Sequence, residues 1–200
     1  MQEDKITAGT GNPPQMQRRQ EEYAIVLDFL LNGYPFDARP MFRKTSIVQA
    51  VGKITLALLE LVPKKDIFLQ PHDEVYIGDG KRDKIHHIVG RIKFENLTAS
   101  AYKELEFIVI EYVKKEEAKF VNFFNTSEPL TTRMHRLELL SGLGKKKMWE
   151  IVEERQVKPF KSFEDLRKRI PLMPDPVKLI AKRIMAELAG KEKHYLFVQN

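Results

Sequence analysis

The chain has 200 residues, 42% of them hydrophobic, which is enough apolar material for a buried core. It has no cysteine, which removes disulfides, thiolate zinc sites and cysteine nucleophiles together and fits a reducing compartment. Lys and Arg number 34 against 28 Asp and Glu, for a net charge of +6, and the excess is local: residues 131–200 carry 16 basic and 9 acidic side chains, the first 130 carry 18 and 19. Positive charge gathered in one third of a chain points to an anionic partner.

Residues 1–20, rich in Gln, Arg, Gly and Pro, hold too few apolar side chains to join a core and read as a flexible tail. They lack a signal-peptide core, and no apolar run reaches membrane-spanning length. A soluble cytoplasmic protein is expected. Strand rhythm begins at Tyr23. Segments Tyr23–Leu31, Ile54–Val62, Glu74–Ile77 and His87–Phe94 are separated by turn residues such as Asn32-Gly33 and Gly78-Asp79-Gly80. Residues 21–96 are therefore expected to form a small antiparallel β-barrel of the oligonucleotide-binding (OB-like) kind. Such a barrel stacks bases on aromatics and tracks phosphates with basic side chains. Its candidate surface groups are Tyr34, Phe36, Arg39, Phe42, Arg43, Lys44, Lys81, Arg82, Lys84 and Arg91. Burial is the usual fate of the aromatics. The polar loop carrying Lys81, Arg82 and Lys84 is the better contact.

Residues 97–130 read as connecting helices, with Thr98 as N-cap and Ala101, Leu105, Ile108, Val109, Tyr112 and Val113 on one apolar stripe. A charged break at Lys114–Glu117 divides them. Next comes the most informative stretch, Leu140-Ser141-Gly142-Leu143-Gly144-Lys145-Lys146-Lys147. Met134, Leu137 and Leu140 recur at helical spacing before it, and Met148, Ile151, Val152 and Arg155 after it, predicting two amphipathic helices joined by a sharp turn. Gly142 and Gly144 allow positive φ, Leu143 points between the helices, and the second helix opens with unpaired N–H groups beside three lysines. Backbone amides grip an anion whatever base is attached to it, so the expected ligand is a sugar–phosphate backbone. The alternative is a plain helix C-cap followed by a solvated helix start.

This stretch resembles the helix-hairpin-helix family of nucleic-acid-binding motifs through Leu140, Gly142, Leu143, Gly144 and the pair Ile151-Val152. Ser141 stands where proline is usual, and Met148 where alanine is usual, which implies slightly wider helix packing. Pro159–Leu166 resembles the connector of tandem motifs, and within it Ser162 and Asp165 read independently as an N-cap and its acidic partner. The second hairpin, Pro171–Pro176, has no glycine, and its prolines lack phosphate-binding N–H groups, so it reads as a degenerate packing element. Pro176 or Val177 then opens a helix through Gly190. Residues 131–192 form the helix-hairpin-helix region, and 193–200 a terminal strand or tail.

The fold class is thus α+β. The whole order, with Gly33–Pro40, Asp83–Ile88 and the hairpin, resembles an archaeal family of unknown function, DUF655, over Tyr23–Val198. That resemblance implies RNA or DNA binding without fixing a target. For catalysis the residues offer little. His86 and His87 are adjacent, hence on opposite faces of a strand, and His72, His135 and His194 suggest no ligand cluster. No nucleophile elbow or phosphate loop is present. Some base-excision glycosylases pair a helix-hairpin-helix with a downstream aspartate, for which Asp165 or Asp175 could stand, but those enzymes are helical on both sides of the motif. A non-catalytic nucleic-acid-binding protein without cofactor or metal is expected. RNA is favoured over DNA, and a protein-interaction module within a nucleoprotein assembly is the alternative.

Overall fold

The computed structural model describes residues 21–36, 38–40 and 44–198. The expected tail and the candidate contacts Phe42 and Arg43 lie outside them. Five strands form an antiparallel sheet: β1 (Tyr23–Leu30), β2 (Ile47–Gly52), β3 (Leu58–Pro63), β4 (Glu74–Tyr76) and β5 (Ile85–Arg91). Their order is β4-β1-β2-β3-β5, so β4 and β5 are the two edges of a curled half-barrel.

Period-2 alternation divides the sheet's side chains between two cores. Ala24, Val26, Val48, Ala50, Leu59 and Leu61 gather on one face with Leu69, Val75, Ile77 and Ile85. Leu27, Val51 and Leu58 face the helices. The central strand β2 is buried along its whole length and includes a polar residue, Gln49. Its amide is satisfied: Nε2 donates to the Asn96 carbonyl at 2.9 Å and to the Tyr34 hydroxyl at 3.1 Å, while Oε1 accepts from the Thr98 N–H at 2.9 Å. One buried side chain thereby ties the sheet to the first helix.

That helix, α1 (Ala99–Lys115), is capped by Thr98, whose hydroxyl accepts from the Ala101 N–H at 3.0 Å. It breaks at Glu116, inside the expected charged interruption, and α2 (Glu117–Thr126) follows. A two-stranded ribbon, β6 (Pro129–Thr131) and β7 (Met134–His135), leads into a 3₁₀ turn over Arg136–Leu139. Three helices complete the chain: α3 (Lys145–Val157), α4 (Phe163–Arg169) and α5 (Pro176–Leu188). Ser162 caps α4 by accepting from the Asp165 N–H, and Asp175 caps α5, with Pro176 in the first turn. The Ser162 cap and the opening of α5 at Pro176 are as expected. The apolar core runs without interruption from Leu27 and Val51 through α1 to Leu140, Leu143, Ile151 and Ile180.

Four expectations are corrected. The strand expected over Ile54–Val62 begins only at Leu58, because residues 53–57 turn the chain, with Leu56 at φ +59°. Strand β2 was missed, since an uninterrupted buried run gives no alternation. The helix expected before Gly142 is β7 followed by a 3₁₀ turn. The terminal strand at 193–198 does not form: the N–H groups of Leu196, Phe197 and Val198 bond to the Glu187 carboxylate instead of a sheet edge.

Candidate nucleic-acid interface

The turn over 140–144 is closed by the Leu143 N–H donating to the Leu140 carbonyl at 2.9 Å. Leu140 and Leu143 are buried and anchor it to the core, while Ser141 and Gly142 between them and Gly144 after them are exposed. Gly142 has φ +108°, a region that side chains rarely enter. A Cβ there would also come within 3.3 Å of Leu179 on α5. Gly144 is different. It sits at φ −70°, ψ 162° as the N-cap of α3, with open space around a would-be Cβ. The expectation of positive φ therefore holds at Gly142 and is corrected at Gly144.

The Gly144 N-cap brings no side-chain acceptor, and the first backbone bond of α3 runs from the Met148 N–H to the Gly144 carbonyl at 3.0 Å. The N–H groups of Lys145, Lys146 and Lys147 precede that bond. No acidic residue stands in the first turn; three lysines occupy it. This opposes the helix macrodipole, which favours anions at that end. The neighbouring α4 is built the ordinary way, with Glu164 and Asp165 in its first turn and Arg167, Lys168 and Arg169 in its last. A bound anion would relieve the repulsion that α3 carries.

The three lysines are not equivalent. Lys145 and Lys146 are exposed and make no ion pair, whereas Lys147 is paired with Glu150 at 2.7 Å and is only 20% exposed. Arg133 and Arg136, in the ribbon and the 3₁₀ turn, are also exposed and without an ion pair. Arg133, Lys145, Met148, His135 and Trp149 line one small cavity of about 150 Å³ beside the α3 start. Sequence reasoning passed over Trp149, which is 57% exposed. Its signal was available: it is the one tryptophan of the chain, one helical turn after Lys145.

His135 caps the 3₁₀ turn, its Nδ1 accepting from the Leu137 N–H at 3.1 Å, and its Nε2 is buried with no hydrogen-bond partner. Burial, with the Arg155 guanidinium second, holds the ring below its ordinary pKa. Burial thus disfavours the charged form of this ring.

The half-barrel contacts lie apart in kind. Arg82 is spent on its own loop, its Nε donating to the Gly78 carbonyl at 2.9 Å, while Lys81 and Lys84 are exposed and line a shallow cavity with Tyr23 and Tyr76. No lining residue is shared with the hairpin cavity. Phe36 is 83% exposed and stacks on Tyr34 with ring centroids 5.1 Å apart. Beside this stack lie Glu60 and Glu95 rather than cations. Burial pushes the Tyr34 hydroxyl up to about 12, and it donates to Glu60 at 2.7 Å. Arg91 and Lys44 are, respectively, exposed and half-buried.

His86 and His87 overturn the expectation of opposite faces. Pairing of β3 with β5 skips a residue, matching Val62 with His87 and Pro63 with Ile85, and this bulge leaves both rings exposed with their Nδ1 atoms 2.7 Å apart. Among the described residues no group of three or more His, Asp or Glu could hold a metal. No helix among them is long and apolar enough to cross a membrane.

The model of a family described as "Protein of unknown function (DUF655)" matches residues 20–199. An uncharacterized protein of Methanocaldococcus jannaschii, MJ0038, is 47% identical over 190 residues, which cover 94% of this chain and 83% of that protein. The crystal structure of Af1531 from Archaeoglobus fulgidus, described as a DUF655 family model, superposes with a TM-score of 0.82 at 44% identity, covering 90% of this chain and all of that one. With a family match over nearly the whole described chain and two archaeal relatives above 40% identity, this protein belongs to the DUF655 family.

Proposed function

We propose that this is a non-catalytic nucleic-acid-binding protein that grips the sugar–phosphate backbone at the 140–147 turn in the manner of a helix-hairpin-helix. The observation that carries the reading is the start of α3: a glycine N-cap without an acceptor and three first-turn lysines set against the helix dipole. The turn is anchored by Leu140 and Leu143, both buried in the core. Phosphate-centred contact gives affinity without sequence preference.

RNA is favoured over DNA, because an OB-like half-barrel beside a backbone-gripping turn suits single strands and irregular structures. Lys81 and Lys84 would extend the phosphate track over the half-barrel. The two aspartates that the glycosylase alternative would use both have structural partners. Asp175 caps α5 through the Val177 N–H, and Asp165 accepts from the Lys161 N–H at 3.0 Å and faces Arg169 at 3.7 Å.

Titration of labelled RNA and DNA, single-stranded and duplex, with the full chain tests the reading. Binding that tolerates changes of base sequence supports it. Absence of binding to every nucleic acid at low salt overturns it in favour of a protein-interaction module. Sequencing the nucleic acid that copurifies from native cells identifies the target class.

A further inference from the structure

Trp149 is a large aromatic side chain left 57% exposed on α3, next to the buried Met148 and two residues before the buried Ile151. It stands four residues after Lys145, so the indole and that ammonium group share one face of α3, a turn apart. Both line the cavity of about 150 Å³ that the β6–β7 ribbon closes with Pro129, Met134 and His135. Arg133 and Lys145 line the cavity and Lys146 follows Lys145 on α3; all three are exposed, and among the described residues none has an ion-pair partner. The one carboxylate on the cavity wall, Glu138, is held by accepting from the His135 N–H at 2.8 Å. An apolar protein segment would have to cover the Arg133 and Lys145 charges here, whereas a nucleotide satisfies both halves of the surface, anion to cations and ring to ring.

We propose that Trp149 is a stacking platform for an unpaired nucleobase, adjoining the phosphate site at the start of α3. This rests on the reading of the 140–147 turn as a phosphate grip and adds the substrate class: the strand held there presents at least one base outside a duplex. A base inside a duplex is covered on both faces by its neighbours and cannot lie flat on an indole. The site therefore discriminates single-stranded from double-stranded ligand through Trp149, while the lysines contact the backbone of either. Of the described aromatics it is the one set among cations near the turn; the Phe36–Tyr34 stack faces Glu60 and Glu95.

Since Trp149 is the only tryptophan in the chain, its fluorescence reports this contact alone. The full-length protein is titrated with a short labelled single-stranded RNA, DNA of the same sequence, the blunt duplex, and an abasic strand with the same number of phosphates. Anisotropy of the label follows binding, and indole emission follows stacking. Single strands should quench the emission, while the abasic strand and duplex bind without quenching. A W149A variant should lose roughly ten-fold in affinity for single strands and little for the abasic strand, and W149F should restore most of the loss. Exposure of the side chain makes all these variants foldable. Unchanged emission at saturating single-stranded RNA, or parental affinity in W149A, overturns the platform while leaving the phosphate grip in place. If K145Q/K146Q also binds every strand as the parent does, or if no strand binds, the phosphate grip falls and the platform with it. The RNA and DNA arms separate the two sources of an unpaired base.

Discussion

The Arg183 guanidinium and the Glu187 carboxylate lie 2.8 Å apart, one turn from each other on α5, and both are buried. Each holds a different part of the chain. Arg183 Nη1 donates to the Leu139 carbonyl, at the entrance to the 140–144 turn, at 3.1 Å and to Glu192 at 2.8 Å, while Nη2 donates to the His194 carbonyl. Glu187 accepts from the N–H groups of Leu196, Phe197 and Val198 at 2.8–2.9 Å, which sets Phe197 against Phe120 and Phe123. The pair fastens the 140–144 turn and the C-terminal segment to the same helix.

Removing the Glu187 carboxylate leaves three partly buried backbone donors without their acceptor and the buried Arg183 with Glu192 as its one remaining ion-pair partner. Glu187→Ala should therefore cost on the order of 3–5 kcal/mol of stability, read from urea unfolding. A single substitution costing under about 1 kcal/mol would show that the pair holds nothing in place.

The two glycines of the turn should respond differently to valine. Gly142→Val forces a β-branched residue to φ +108° and against Leu179, which should destabilise by about 1–3 kcal/mol and displace the turn, with loss of nucleic-acid binding. Gly144→Val meets neither obstacle, and its circular dichroism and melting should stay close to the parent's, apart from the modest loss of a favourable N-cap residue. Equal damage from both would mean that the backbone geometry at Gly142 is not what matters.

His135 should leave a signature in the pH dependence of stability. Its folded pKa is depressed, so below the ordinary value of 6.5 the unfolded chain takes up a proton that the folded ring refuses. The His135 contribution is thus complete above that value and is lost as pH falls toward the folded pKa. Urea midpoints in neutral and mildly acidic buffer should converge in the H135Q variant relative to the parent. An unchanged pH dependence would mean that another group controls it.

Much of this architecture was legible in the residues. Thr98 and Ser162 announced two helix starts, because a short side-chain oxygen before an amphipathic run has a local use that needs no tertiary context. The turn before α3 misled for a physical reason. Leu137 and Leu140 are both fully buried, as a helix would place them, but a spacing of three also fits a 3₁₀ turn of three residues per turn. Strand β2 escaped notice because burial on both faces removes the alternation that marks a strand, and the C-terminal segment because its partner, Glu187, satisfies it from about ten residues away. At the site, the lysine run was visible, but which lysines are free was not. The Lys147–Glu150 pair is one of several contacts that Glu150 could have made, and only the folded geometry selects it.

The central claim, that Lys145 and Lys146 contact phosphates at the start of α3, is tested most directly by the salt dependence of binding to single-stranded RNA. Each phosphate contact on a single strand contributes about 0.7 to the slope of log affinity against log salt. K145Q/K146Q should lower the slope by roughly 1.4 and weaken binding across base sequences, whereas K147Q, which removes an already paired charge, should change it little. A double variant with the parent's slope would contradict the account.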